Sequence, residues 1–174
     1  MSVDMIDRLS SYKSVHQLKK AILNVLVKML KPKETKKVSK VFNDLDKDKT
    51  GFVSTEELAK SLKISKKGMT YVDAKAMVKE LDFAGNSKIN YSEFLSATID
   101  LDEVLRDDDR TKALYNQFDY DGSGLLIEEN IIESLGVMGK DIKPQEMEYF
   151  LEEYGESDGS GVTYQNFKIF LLNG

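Results

Sequence analysis

With 174 residues, 41% of them apolar, the chain can build one core or two small ones. It has no cysteine and one histidine, His16, so disulfides, thiolate metal sites and cysteine nucleophiles are excluded and a Ser-His-Asp triad is not expected. Charged residues make up 32%, and the longest apolar run, residues 21–30, is broken by Asn24 and Lys28, short of the roughly 20 apolar residues of a bilayer span.

The chain opens Met-Ser, with neither a charged-then-apolar leader nor a myristoylation glycine, and a cytoplasmic location is expected. Positive charge gathers at this end. Residues 1–41 hold Arg8 and nine lysines against Asp4, Asp7 and Glu34, a net of +7, which leaves −12 for the rest of a chain of net charge −5. Within the head, Leu18–Leu30 reads as one helix, with Leu18, Ile22, Val25, Leu26 and Met29 in an apolar stripe. Lys13, His16, Lys19, Lys20, Lys28 and Lys31 surround that stripe with positive charge. Such a basic amphipathic helix suits an acidic helix-binding groove or an anionic membrane surface. The rest of the chain is itself acidic, so docking within the chain is favoured by effective concentration. The alternative is a helix that only completes a core. Nucleic acid is not expected as a partner, because Tyr12 is the head's only stacking group and no zinc-finger or RNA-binding signature follows. A membrane partner is not expected either.

Beyond the head a unit recurs. Asp46-Lys-Asp-Lys-Thr-Gly51-Phe-Val-Ser-Thr-Glu-Glu57 returns in altered form at Asp82, at Asp119 and near Gly155, the first intervals being 36 and 37 residues. Each copy follows a stretch of helical apolar spacing (Val38, Val41, Phe42, Leu45 before the first; Met147, Phe150, Leu151 before the fourth) and precedes another. The spacing predicts helix–loop–helix four times. Thr70 and Asp73 are spaced as a capping box at the start of a helix.

The first loop has the chemistry of a Ca²⁺ site. A hard cation takes about 6–8 oxygens, and a twelve-residue loop supplies them at positions 1, 3, 5, 7, 9 and 12. Those positions hold Asp46, Asp48, Thr50, the backbone carbonyl of Phe52, Ser54 and Glu57. Gly51 at position 6 allows the sharp turn, and Ser54 with Glu57 forms a second capping box. The second loop, Asp82–Glu93, keeps positions 1, 5, 9 and 12 but has Ala84 at position 3 and Ser87 at position 6, so weakened affinity is expected. The third has an intact front half in Asp119, Asp121, Ser123 and the Leu125 carbonyl, which could hold an ion at high concentration. Its rear half is damaged by Ile127 at position 9 and Asn130 at position 12. The fourth fits only if position 1 is Gly155 or if a residue has been lost after Gly161, and neither register leaves a good ligand set. Position 8 predicts pairing of Val53 with Ile89 and of Leu126 with Val162, hence two lobes.

The basic helix Leu18-Lys-Lys-Ala-Ile-Leu directly ahead of Asp46-Lys-Asp-Lys-Thr-Gly-Phe, followed by Phe94-Leu-Ser-Ala-Thr-Ile and Phe118-Asp-Tyr-Asp-Gly-Ser-Gly, resembles the C-terminal regulatory region of calcium-dependent protein kinases. The resemblance runs from about Leu9 to Leu172. It implies an all-α, calmodulin-like EF-hand fold: a junction helix in residues 1–33, an N-terminal lobe in 34–101 and a C-terminal lobe in 102–174. It further implies a Ca²⁺ sensor joined in cis to an upstream kinase domain, which the basic stretch Lys13–Lys31 inhibits until calcium rearranges the lobes around it. The chain has no Gly-rich phosphate loop, P-loop or His-Arg-Asp motif, so catalysis by this segment itself is not expected. Two other readings stay open: a light-chain-like adaptor that binds a partner helix without calcium, and a freestanding calcium buffer.

Overall fold

The computed structural model describes residues 2–11, 16–64, 68–136 and 142–173. Tyr12 and Lys13 of the predicted basic head lie outside them. The described residues form eleven α-helices and two short strands. The head supplies α1 (Val3–Ser11) and α2 (Gln17–Leu26), which tightens into a 3₁₀ turn at Val27–Met29. Four helix–loop–helix units follow. They are α3 (Pro32–Leu45) with α4 (Thr55–Ile64), α5 (Tyr71–Leu81) with α6 (Tyr91–Thr98), α8 (Asp108–Phe118) with α9 (Glu128–Leu135), and α10 (Pro144–Tyr154) with α11 (Tyr164–Leu172). A single turn, α7 (Leu101–Val104), stands between the pairs. None of these helices is long and apolar enough to cross a membrane.

The chain divides into two compact units. The first comprises Met1–Ser14 with Val27–Ile99, the second Val15–Leu26 with Asp100–Gly174. In the first unit, β1 (Phe52–Val53) pairs antiparallel with β2 (Ile89–Asn90), setting Val53 opposite Ile89. In the second, Leu126 and Val162 form an isolated bridge. Both pairings fall at position 8, as the sequence predicts. All four residues are fully buried and join their loops by backbone hydrogen bonds and packing.

Capping explains where helices begin. Thr70 Oγ1 accepts from the Asp73 amide at 3.3 Å while Asp73 Oδ2 accepts from the Thr70 amide at 2.7 Å, the reciprocal arrangement expected of that pair. Pro32 starts α3, where its missing N–H costs nothing. The same proline keeps α2 from running on into α3, and the chain turns instead, with the Leu30 amide donating to the Val27 carbonyl at 3.4 Å. The expected single helix Leu18–Leu30 is therefore a shorter helix followed by a 3₁₀ turn.

The cores are aromatic and aliphatic. Phe42, Leu45, Leu58, Met77 and Phe94 are buried in the first unit. In the second, Phe150 packs edge-on against Phe170 at 4.7 Å, and Tyr115 packs edge-on against Phe167 at 5.6 Å. Each fully buried side chain of this size contributes about 1.5–3 kcal/mol. Two features of the head differ from expectation. Residues 3–11 form a helix outside the predicted elements. It buries Met5, Ile6 and Leu9, packs on α6, and is tied there by Arg8 Nη1 donating to the Thr98 carbonyl at 2.9 Å. Lys19 and Lys20, assigned to a cationic face, are 4% and 3% exposed.

Candidate metal centre

Loop one is built from the ends of two helices. Asp46 caps the C-terminus of α3, its amide donating to the Phe42 carbonyl, and Glu57 lies in the first turn of α4. Between them the chain folds back on Asp46. One carboxylate oxygen accepts from the Thr50 amide at 3.0 Å and the other from the Gly51 amide at 2.9 Å. Asp48 Oδ1 accepts from the Thr50 amide at 3.2 Å, and Thr50 Oγ1 donates to the Phe52 carbonyl at 3.3 Å. Glu57 closes the ring. Its Oε1 accepts from the Lys47 amide at 2.7 Å, and its Oε2 accepts from the Ser54 amide and hydroxyl at 2.9 and 2.8 Å. Gly51 has φ 82°, the left-handed conformation that position 6 requires.

Carboxylate oxygens of Asp46, Asp48 and Glu57 lie within 4.8 Å of one another, the only such acidic cluster among the described residues. Burial pushes the Asp46 carboxyl up, but the Gly51 and Thr50 amides, the Asp48 side chain and the Lys49 charge outweigh it and hold the group below the ordinary aspartate range. Glu57 follows the same pattern: burial raises it, and Ser54, Lys47 and Asp48 donors together bring it below the ordinary glutamate range. Both groups are thus kept ionised. An all-oxygen donor set, two helix ends and an ionised cluster fit a hard divalent cation.

Loop two reproduces the frame with fewer oxygens. Asp82 accepts from the Asn86 and Ser87 amides, and Glu93 accepts from Ala84 at 2.9 Å and Asn90 at 2.8 Å. Ser87 takes φ 62°, the strained conformation expected where position 6 is not glycine. Glu93 is 3% exposed, and burial, aided by Asp82, pushes its carboxyl above the ordinary range despite those amides. With Ala84 contributing no side-chain oxygen, this loop fits a cation less well.

Loop three brings its front half together. Asp119 Oδ1 and Oδ2 accept from the Gly124 amide at 3.2 and 3.1 Å, the Asp121 carboxylate accepts from the Ser123 amide at 3.0 Å, and Ser123 Oγ donates to the Leu125 carbonyl at 3.1 Å. Its rear half offers no carboxylate at position 9 or 12. Ile127 is an exposed apolar residue, and Asn130, 1% exposed, spends its oxygen on the Ile127 amide at 3.0 Å.

Loop four resolves the question of register. Asp46, Asp82 and Asp119 each cap the preceding helix, and in the fourth unit the capping residue is Gly155. Val162 in the bridge then falls at position 8 with no residue deleted. Position 1 therefore has no side chain. A Cβ there would meet the Leu151 carbonyl oxygen at 2.2 Å, so an aspartate cannot be accommodated in this backbone. The loop closes on itself, the Glu156 amide donating to the Gly161 carbonyl at 2.8 Å. This loop does not fit a cation.

The head segment placed with the second unit is α2, which packs on α10. Glu146 Oε2 caps it by accepting from the Leu18 amide at 3.2 Å, His16 stacks on Tyr149 at 5.2 Å, and Lys19 Nζ donates to the Asn173 carbonyl at 2.9 Å. Burial pulls the Lys19 ammonium below the ordinary lysine range. The capping of α2 by a distant glutamate has no signal in the local sequence.

A family profile described as an EF-hand domain pair matches residues 35–99. Calcium-dependent protein kinase 22 of Arabidopsis thaliana is 27% identical over 172 residues, covering 98% of this chain and 34% of that kinase. Calcium-dependent protein kinase 19 of the same plant is 30% identical over 94% of this chain and 29% of its own length. Calcium-dependent protein kinase 21 of Oryza sativa subsp. japonica is 27% identical over 96% and 28%. A crystal structure of a C-terminal domain aligns over 99% of this chain and 98% of its own, at 21% identity and a TM-score of 0.48. The chain thus spans about a third of the length of the curated relatives it matches, and the matched part is their EF-hand region, without the kinase domain. Residues 35–99 are an EF-hand pair, and the chain is related over nearly its whole length to the EF-hand regulatory region of calcium-dependent protein kinases.

Proposed function

We propose that this segment is a calcium sensor whose response site is loop one, with Asp46, Asp48, Thr50, the Phe52 carbonyl, Ser54 and Glu57 as the ligand set. The observation that carries this reading is the gathered, ionised trio Asp46, Asp48 and Glu57. Bound calcium would supply the positive charge that backbone amides now offer these carboxylates. The chain's own contribution is mechanical. Asp46 belongs to the end of α3 and Glu57 to the start of α4, so a change in how Glu57 is held alters how the two helices pack. The apolar residues available for exposure are Phe42, Leu45, Leu58, Met77 and Phe94. The front half of loop three (Asp119, Asp121, Ser123, Leu125 carbonyl) is a weaker position, filled only at high ion concentration.

In an intact protein of the relatives' kind, the partner is a Ser/Thr kinase domain in cis, and the cytoplasm is the place of action. The basic stretch Lys13–Lys31 is the inhibitory element, relieved when the lobes rearrange around it. The test is limited trypsin digestion of the chain in chelator and in calcium. Glu57→Gln should abolish most of the calcium-induced change in cleavage pattern, and a variant that responds like the parent sinks the reading. The self-closed fourth loop favours a second reading, a light-chain-like adaptor. Equal affinity for an added basic helix in chelator and in calcium would support it instead.

A further inference from the structure

In loops one and two, the position-12 glutamate places its second oxygen over the front half of the loop, where it accepts from the amides of Lys47 and Ala84. In loops three and four that residue is asparagine, Asn130 and Asn166, and the atom reaching forward is an amide nitrogen. We infer that the C-terminal unit is a calcium-independent clamp on α2, its two loops carrying asparagine amides at position 12, where the first two loops present a carboxylate to a cation.

The orientation of Asn130 is fixed. Its Oδ1 accepts from the Ile127 amide, which leaves Nδ2 buried and without a hydrogen-bond partner among the described residues. A cation entering this loop would meet an N–H donor at position 12. Turning the amide over would set that donor against the Ile127 N–H.

Loop four makes the same reversal openly. Glu156 at position 2 accepts from Asn166 Nδ2 at 3.3 Å and from Thr163 Oγ1 at 3.1 Å, so the acid has moved to the front of the loop and the amide to the rear. Gly161 lies so close to the neighbouring loop that a Cβ would meet the Leu126 carbonyl oxygen at 2.8 Å. Tyr115 joins the two loops, its buried hydroxyl lying 2.7 Å from the Gly124 carbonyl and 3.0 Å from the Val162 carbonyl. The unit is therefore closed by its own groups, with α2 already capped by Glu146 and bonded to Asn173.

The inference stands apart from loop one, and its test silences the first unit. In the full chain carrying Glu57→Gln and Glu93→Gln, amide exchange of α2, α10 and α11 should be the same in chelator and in micromolar calcium. A calcium-dependent change in those amides overturns the clamp. In the same background, Asn130→Glu should add one calcium ion per chain by calorimetric titration and make α2 exchange calcium-sensitive. Restored binding without that sensitivity, or no gain of binding in a folded variant, overturns the role of Asn130. Should Asn130→Glu unfold in chelator, Asn166→Ala reads the same point: it should speed exchange of loop four equally with and without calcium, and a calcium-dependent difference counts against the inference.

Discussion

Single residues decide how well each loop holds its shape, and position 6 shows this most directly. Gly51 and Ser87 occupy the same turn with φ 82° and 62°, but only glycine takes that conformation without cost. No atom lies within 4 Å of a Cβ built on Gly51, so Gly51→Ala should destabilise the first unit by backbone strain alone, about 1 kcal/mol. Ser87→Gly should stabilise it by somewhat less, about 0.5 kcal/mol, because the unfolded chain also gains freedom. Calcium-free chemical denaturation of both variants checks the pair, and equal signs would refute the argument. Titration has opposite signs within the same unit. Asp46 and Glu57 are lowered from 3.8 and 4.5, so their stabilisation is present above those values and is lost as pH falls through the lower folded ones. Glu93 is raised from 4.5, so its contribution is complete below that value and is lost as pH rises through the higher folded one. Calcium-free stability should therefore not fall between neutral pH and about 5, and Glu93→Gln should flatten the trend there. Lys19 is a cation pulled below 10.5 by burial, so the folded unit opposes its charge at neutral pH. Lys19→Met should raise the melting temperature of the second unit, and a lowered one would mean that the bond to Asn173 outweighs the burial.

At the level of elements, caps and pairings couple the loops. Tyr115 is pushed up to about 12, first by burial and then by Asp119 and Asp121, so its hydroxyl stays protonated and can donate throughout the physiological range. Tyr115→Phe removes the donor near two carbonyls, one in each loop of the second unit. The expected cost is about 1–2 kcal/mol, read as a lower denaturation midpoint with unchanged slope. How far such elements were legible varied with how local their cause is. The Thr70–Asp73 and Ser54–Glu57 boxes, the turn at Gly51 and the position-8 pairs depend on residues a few places apart or on the repeat, and each appears where the sequence puts it. Met5, Ile6 and Leu9 stand at helical spacing, but nine residues are too few to hold a helix by themselves. The definition of α1 comes from packing on α6. Periodicity alone sorts residues by polarity and so sets Lys19 and Lys20 on the solvent side. The burial of Lys19 depends on a carbonyl 154 positions away. Asn130 was legible as a lost ligand, but not as a reversed one, since that depends on which end of the amide the Ile127 N–H captures.

Across the whole molecule, the two units divide the work that paired EF-hands usually share. The first holds the ionised cluster and loops that leave their carboxylates facing backbone amides, ready for exchange. The second holds α2 through Glu146 and Asn173, with loops closed by amides and a tyrosine. Calcium that binds only the folded first unit should stabilise it by linkage, about 2.7 kcal/mol at a hundredfold excess over the dissociation constant. For a unit of this size that corresponds to a rise on the order of 10 °C in its melting temperature. At that concentration the second unit gains nothing by the same reasoning, because its loops offer a cation no position-12 carboxylate. Amide exchange followed residue by residue should therefore show α3, α4, α5 and α6 slowing with calcium while α8, α9, α10 and α11 keep their rates. The calcium dependence should also be that of independent binding, with no steepening from the second unit. Equal slowing in both units would mean that the asparagine loops take up the ion after all, and would return the C-terminal half to the role of a second sensor.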